Sequence, residues 1–296
     1  MHEHLVLKSP GIAENWPERY DHEAAIQQAT GKLHQLAERG IRTLVDLTPP
    51  DIGRDVELFE KVQAVSEISI IACTGIYWLP PLYWWFHSPD ELAEAFINDI
   101  RKGIQGTNMR AAILKVASDQ LFPDPPDMPG LNDLCLRAVA RAHRSTGVPI
   151  STHTGPPALG LRQQQVFREE GVDLSRVIIG HVGDTTDVEL LKKLMDAGSY
   201  VGMDRFGYEV FLPLADRIDT VAELCLAGYA DRMVLSHDTV CYTHWPLEQR
   251  FGPIPDFSLI SDTVLPALQD RGVETAQIDQ MLVGNPRRIF EQQGSY

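Results

Sequence analysis

Short apolar runs rich in β-branched residues alternate along the chain with longer stretches whose apolar positions recur at helical spacing. Strand-like runs fall at 41–47, 68–77, 111–117, 149–154, 177–182, 200–204 and 233–238. A short stub carrying His2 and His4 makes eight. Amphipathic stretches at 22–39, 88–104, 131–145, 187–197 and 220–227 lie between them, several stopping at a glycine such as Gly40, Gly147, Gly198 or Gly228. A helical tail is predicted over 259–290, with Val283-Gly284-Asn285-Pro286 as a break and a new start. Strands taking turns with helices imply a parallel sheet, and eight such units imply an α/β (β/α)8 TIM barrel whose first strand is shortened. No fixed-period repeat points to a solenoid or propeller.

Composition narrows the class. The 296 residues contain no Ser/Pro/Gly-rich linker, so residues 1–296 read as one barrel domain. Net charge is −15, from 41 acidic and 26 basic side chains, with no basic run; that disfavours nucleic acid or an anionic membrane surface as partner and suits a neutral substrate. The four cysteines, Cys73, Cys135, Cys225 and Cys241, form no CxxC pair, as expected of reduced thiols in a cytoplasmic protein. No apolar run is long enough to span a bilayer.

Candidate chemistry sits where the strands end. In Met1-His2-Glu3-His4-Leu5 the two histidines fall on one face of an extended strand, able to clasp one divalent ion. Three later runs end in His153, His181 and Asp238, and a fourth buries Lys115 where a core would want leucine. In a (β/α)8 barrel such strand ends converge on one mouth. A free ammonium at Lys115 would be repelled by divalent cations. Carbamylation by CO2 would convert it into a carboxylate-like group able to bridge two of them.

With these residues in place, the chain resembles the phosphotriesterase family of the amidohydrolase superfamily, and within it the phosphotriesterase-like lactonases. The resemblance runs from His2-Glu3-His4-Leu5 through Gly53-Arg54-Asp55, Thr74-Gly75-Ile76-Tyr77, Lys115-Val116, Gly180-His181-Val182-Gly183-Asp184, Asp204-Arg205-Phe206-Gly207 and Ser236-His237-Asp238 to Asn285-Pro286. It implies that His2, His4 and Asp238 hold the more buried of two divalent ions and His153 and His181 the more exposed one, with carbamylated Lys115 between them. Zinc leads among the metals, with cobalt, iron or manganese as alternatives. Lys115, Asp238 and Tyr77 would be catalytic, Asp238 as proton shuttle and Tyr77 as a donor to the substrate oxygen. Tyr77, Arg205, Cys241 and Trp245 would bind substrate, the last two on a long loop over 239–257. The Trp-rich segment 78–86 is too apolar to lie free in water, and is expected to serve a homodimer interface ahead of a pocket wall.

The resemblance also exposes departures. Family members carry further residues ahead of the His-x-His, so an unanchored first strand is expected to fray and weaken the His2/His4 site. The Pro/Gly-rich segment 154–160 puts the shape of the head-group pocket in question. The leading function is a binuclear metal lactonase acting on hydrophobic lactones such as N-acyl-homoserine lactones, hence quorum quenching, with promiscuous phosphotriesterase activity. The alternatives are a dedicated organophosphate triester hydrolase (aryldialkylphosphatase) and a metal-deficient barrel acting as a binding or assembly protein.

Overall fold

A computed structural model of the chain describes residues 1–78, 80–120, 124, 130–291 and 294–296. Its strands are β1 (His4–Leu7), β2 (Thr43–Asp46), β3 (Ser69–Ile76), β4 (Ile113–Asp119), β5 (Ile150–Gly155), β6 (Val177–Ile179), β7 (Tyr200–Met203), β8 (Met233–Leu235) and β9 (Val240–Thr243). Strands β2 to β8 pair in parallel in chain order, and β1 pairs in parallel with β9. The ring closes through the residues around β1. On one side the Glu3 N–H donates to Val45 O at 3.1 Å and the Leu47 N–H donates to Glu3 O at 3.0 Å. On the other the Asp238 N–H donates to His2 O at 3.0 Å and the His4 N–H donates to Thr239 O at 2.9 Å. The fold is the expected (β/α)8 barrel.

Alternation along the strands divides the core in two. Val45, Cys73, Ile113, Ile178, Tyr200 and Val234 point inward and fill the barrel with Leu47 and Ile289. The opposite faces pack against helices such as His22–Glu38 and Leu131–Thr146. Helix starts are locally encoded: Asp21 accepts from the Ala24 N–H, Asp55 from Leu58 and Asp187 from Leu190, and Ser88 with Glu91 forms a capping box.

Three expectations are corrected. Strand β1 is not unanchored: all four of its residues are buried, and both of its edges find partners within the ring. The segment 239–257 is not one loop but contains β9 and the helix Leu247–Phe251, since β1 offers β9 a pairing edge that sequence pattern alone does not reveal. In the tail, the helical run passes through Val283-Gly284-Asn285-Pro286 as a π-helical turn, Gln280–Gly284, leading into Asn285–Glu291; the interruption lies earlier, at Arg271-Gly272-Val273. Asn285 explains the continuity, because its side-chain amide donates to Ala230 O and Met233 O and ties this helix to the start of β8.

Candidate active site

The strand ends converge as the alternation predicts. His2 Nε2 and His4 Nε2 each lie 3.2 Å from Asp238 Oδ1, so three ligand-type atoms from the two sides of the ring closure meet at one point. Lys115 Nζ, wholly buried on β4, sits 2.9 Å from His2 Nε2. The ring centroid of His181 is 4.7 Å from that of His2 and 4.5 Å from that of His153. All six residues expected to hold metal therefore form one cluster.

His181 reaches it by an unusual route. Alternation through Ile178 and Gly180 would turn the next side chain out of the barrel, but His181 has φ 60, a left-handed conformation costly for a non-glycine residue, and its ring swings into the mouth. Arg205 (φ 62) and Asp238 (φ 55) share that conformation, so backbone strain is concentrated at the mouth.

A surrounding set of side chains fixes how each imidazole presents itself. Asp204 accepts from Nδ1 of both His2 and His181, at 3.2 and 2.9 Å, and Thr48 Oγ1 meets His4 Nδ1 at 2.8 Å. The Nε2 atoms of these three histidines are thereby aimed at the centre. His153 is reversed: its Nε2 contacts Asp119 Oδ2 at 2.8 Å, leaving Nδ1 inward, 3.2 Å from the Tyr77 hydroxyl. Asp119 and Thr48 were not singled out from sequence, and Asp204 was quoted only within a family motif, without a role. The signal for the first was available, because Lys115 and Asp119 lie four apart on β4 and share a face, and Asp204 ends its strand-like run as Asp238 does.

Electrostatics suit cation binding. Burial lowers His2 and His153 to about 4 and drives His181 further down, so all three are neutral and ligand-competent at neutral pH. Burial alone would raise Asp238, but His181, His2, His4 and Arg205 hold it well below the usual carboxylate range. Burial lowers Lys115 to about 8, against the opposing pull of Asp238 and Asp204. Neutral imidazoles, an ionised carboxylate and a buried amine whose charge burial disfavours are a donor set that fits divalent metal, and the Nε2 atoms of His2 and His4 with the Asp238 carboxylate lie within 4.8 Å of one another.

Four members of the cluster, His4, His153, His181 and Asp238, line a cavity of about 830 Å³. Tyr77, Trp78, Tyr208, Phe211, Trp245 and Phe251 supply apolar walls, and Thr154, Gly155, Pro156 and Pro157 form part of the rim. Arg205 lines it too, bonded to Asp238 Oδ2 at 3.1 Å and to Asp184 Oδ2 at 2.7 Å, while fully buried Arg217 holds the other Asp184 oxygen at 2.8 Å. Tyr77 is steadied by Asp51, whose carboxylate accepts from the Tyr77 N–H at 2.9 Å and the Trp78 N–H at 3.1 Å.

One expected substrate contact lies elsewhere. Cys241 is buried in the core with Leu5, Val6 and Phe257 and lines no part of the cavity. On β9 its neighbour Val240 takes the mouth side, beside Leu7, Tyr77 and Trp245, so alternation turns Cys241 away. The Trp-rich segment is divided: Trp78 lines the cavity, Trp84 packs against the core, Leu82, Tyr83 and Phe86 are exposed, and Leu79 lies outside the described residues.

Comparison with known proteins agrees with this geometry. The chain matches the family model described as Phosphotriesterase family over residues 1–290. The solved structure of the phosphotriesterase from Mycobacterium tuberculosis superposes with a TM-score of 0.92 at 44% identity, covering 100% of this chain and 94% of that one. An aryldialkylphosphatase of Saccharolobus solfataricus is 35% identical over 98% of this chain and 93% of its own length. A solved structure from the engineering of organophosphate hydrolysis activity out of a weak promiscuous lactonase template has a TM-score of 0.87 at 33% identity, covering 98% of this chain and 94% of that one. The chain belongs to the phosphotriesterase family of hydrolytic enzymes.

Proposed function

We propose that the protein, residues 1–296 acting as one barrel unit, is a binuclear metal-dependent lactonase that opens hydrophobic lactones such as N-acyl-homoserine lactones, a quorum-quenching activity, with promiscuous turnover of organophosphate triesters. The observation that carries this reading is the apolar-walled cavity over the histidine cluster, with the Tyr77 hydroxyl at its floor. A volume of about 830 Å³ accommodates a small ligand with an aliphatic arm.

His2, His4 and Asp238 would hold one divalent ion and His153 and His181 a second, zinc being the best match to imidazole and carboxylate, with cobalt, iron or manganese able to replace it. Bound there, such ions polarise an ester carbonyl and make a water nucleophilic near neutral pH. Lys115 would join the two sites as a carbamate: its neutral amine adds to CO2, forming an N–C bond and releasing a proton. A value of about 8 leaves an appreciable neutral fraction for that step at physiological pH.

The remaining steps belong to the chain's own groups. Tyr77, whose hydroxyl burial keeps protonated, donates to the carbonyl oxygen as negative charge develops there. Asp238 takes the proton from the attacking water and delivers it to the departing alkoxide. Arg205 holds the Asp238 carboxylate in place for that transfer. Trp245 and the aromatic walls receive the acyl arm. Exposed Leu82, Tyr83 and Phe86 supply the apolar surface of a homodimer, and the protein works in the cytoplasm.

The test is a pH-indicator assay with short and long acyl-homoserine lactones beside paraoxon, on protein supplied with zinc and bicarbonate. Efficient opening of long-chain lactones with slow paraoxon turnover supports the proposal. The reverse preference supports a dedicated organophosphate triester hydrolase, a reading favoured by the name of the Saccharolobus relative. No hydrolysis of either, with fewer than two ions per chain, would favour a metal-deficient binding or assembly protein.

A further inference from the structure

Glu3 stands between the two histidines of the His-x-His and points the other way. Its carboxylate is buried against the stretch that carries Asp238 and accepts three hydrogen bonds there. Oε1 receives the His237 N–H at 2.9 Å and His237 Nδ1 at 2.8 Å, and Oε2 receives the Thr239 N–H at 3.0 Å. The backbone N–H groups on both sides of Asp238 thus end on one side chain, and that side chain is flanked by His2 and His4. His237 is itself fixed, because its Nε2 accepts from the Ile260 N–H at 3.2 Å. The arrangement answers a local problem. Asp238 has φ 55, a left-handed conformation that a non-glycine residue keeps only when its surroundings over-determine it.

We propose that Glu3 is a positioning residue for metal binding: it clamps the Asp238 turn to the His2/His4 segment and so sets the distance among the three ligands of one ion. The inference rests on the reading that His2, His4 and Asp238 hold that ion together. Carboxylate chemistry is needed at this position because three donors converge on it. An amide of the same shape keeps one acceptor oxygen but turns an NH2 group toward a backbone N–H. The other two histidines stand outside the clamp, since His153 is held by Asp119 and His181 by Asp204.

The test is zinc titration of metal-free full-length protein against a chromogenic chelator, on wild type, Glu3→Gln and Glu3→Ala. Near-UV circular dichroism and thermal unfolding of the same metal-free samples accompany it. Wild type should bind two ions. Glu3→Gln should weaken one of the two classes of site by about 10–100-fold and leave the other within a factor of about three. Glu3→Ala should do the same more severely. Two ions bound with unchanged affinities in both variants would overturn the clamp. So would an equal loss at both sites accompanied by a lost near-UV signal, the mark of a role in folding alone. A wild type that binds fewer than two ions would instead refute the two-ion reading, leaving that failure distinguishable from failure of the clamp.

Discussion

Arg205 offers a sharp test of how charge is arranged at the mouth. It lies within a buried chain of alternating sign, Arg217–Asp184–Arg205–Asp238, with contacts of 2.8, 2.7 and 3.1 Å. Its side chain is only 11% exposed. Arg205→Met keeps an apolar stem of similar length and removes the guanidinium, leaving Asp184 with Arg217 alone and Asp238 with its histidines. Removing one partner of a buried pair costs about 3–5 kcal/mol. The surviving partners place this case near the lower end. For a chain of 296 residues that is a fall in Tm of about 5 °C. The assay is differential scanning fluorimetry of metal-free and zinc-loaded protein at one scan rate. Divalent ions would restore positive charge beside Asp238, so the gap between variant and wild type should narrow with zinc. A fall of under about 2 °C without metal would refute the argument that the charge chain stabilises the mouth. An equal fall with and without zinc would show that lost packing, not charge, was responsible.

Other outcomes follow from the same geometry. Lys115→Ala should abolish activity together with the linkage between the two ion sites, as read by zinc stoichiometry beside turnover, and retained activity would refute the bridging role. Tyr77→Phe should slow lactone opening by about 100-fold while both ions stay bound; an unchanged rate would return Tyr77 to wall-forming duty. His143, buried outside the cluster between Val148 O and the Tyr296 hydroxyl, is lowered by burial to about 4. As pH falls from about 6.5 to 4 the unfolded chain takes up a proton that the folded chain refuses, so His143 subtracts about 3 kcal/mol of stability across that window. Urea unfolding at stepped pH should therefore fall less steeply below pH 6.5 for His143→Phe than for wild type, and parallel profiles would refute the assignment.

What could be read from the chain was whatever depends on short-range periodicity. Alternation along an extended strand is local, so His2 with His4, the inward lysine at 115 and the strand ends at His153 and Asp238 were legible, and eight such units left a barrel as the economical arrangement. The same rule applied to β4 would have found Asp119, four residues after Lys115 on the same face. The corrections arise where contacts cross the sequence. Strand β9 exists because β1 is there to pair with it, and that pairing turns Cys241 into the core. His181 enters the cluster through a left-handed backbone that no periodicity signals. The joint hold of Asp204 on His2 and His181 spans separations of 202 and 23 residues. The sequence by itself determined which kinds of groups arrive at the mouth, because side-chain direction in a strand repeats every two residues. Only the tertiary structure decided which nitrogen of each imidazole faces inward, since that depends on hydrogen-bond partners brought together when the ring of strands closes.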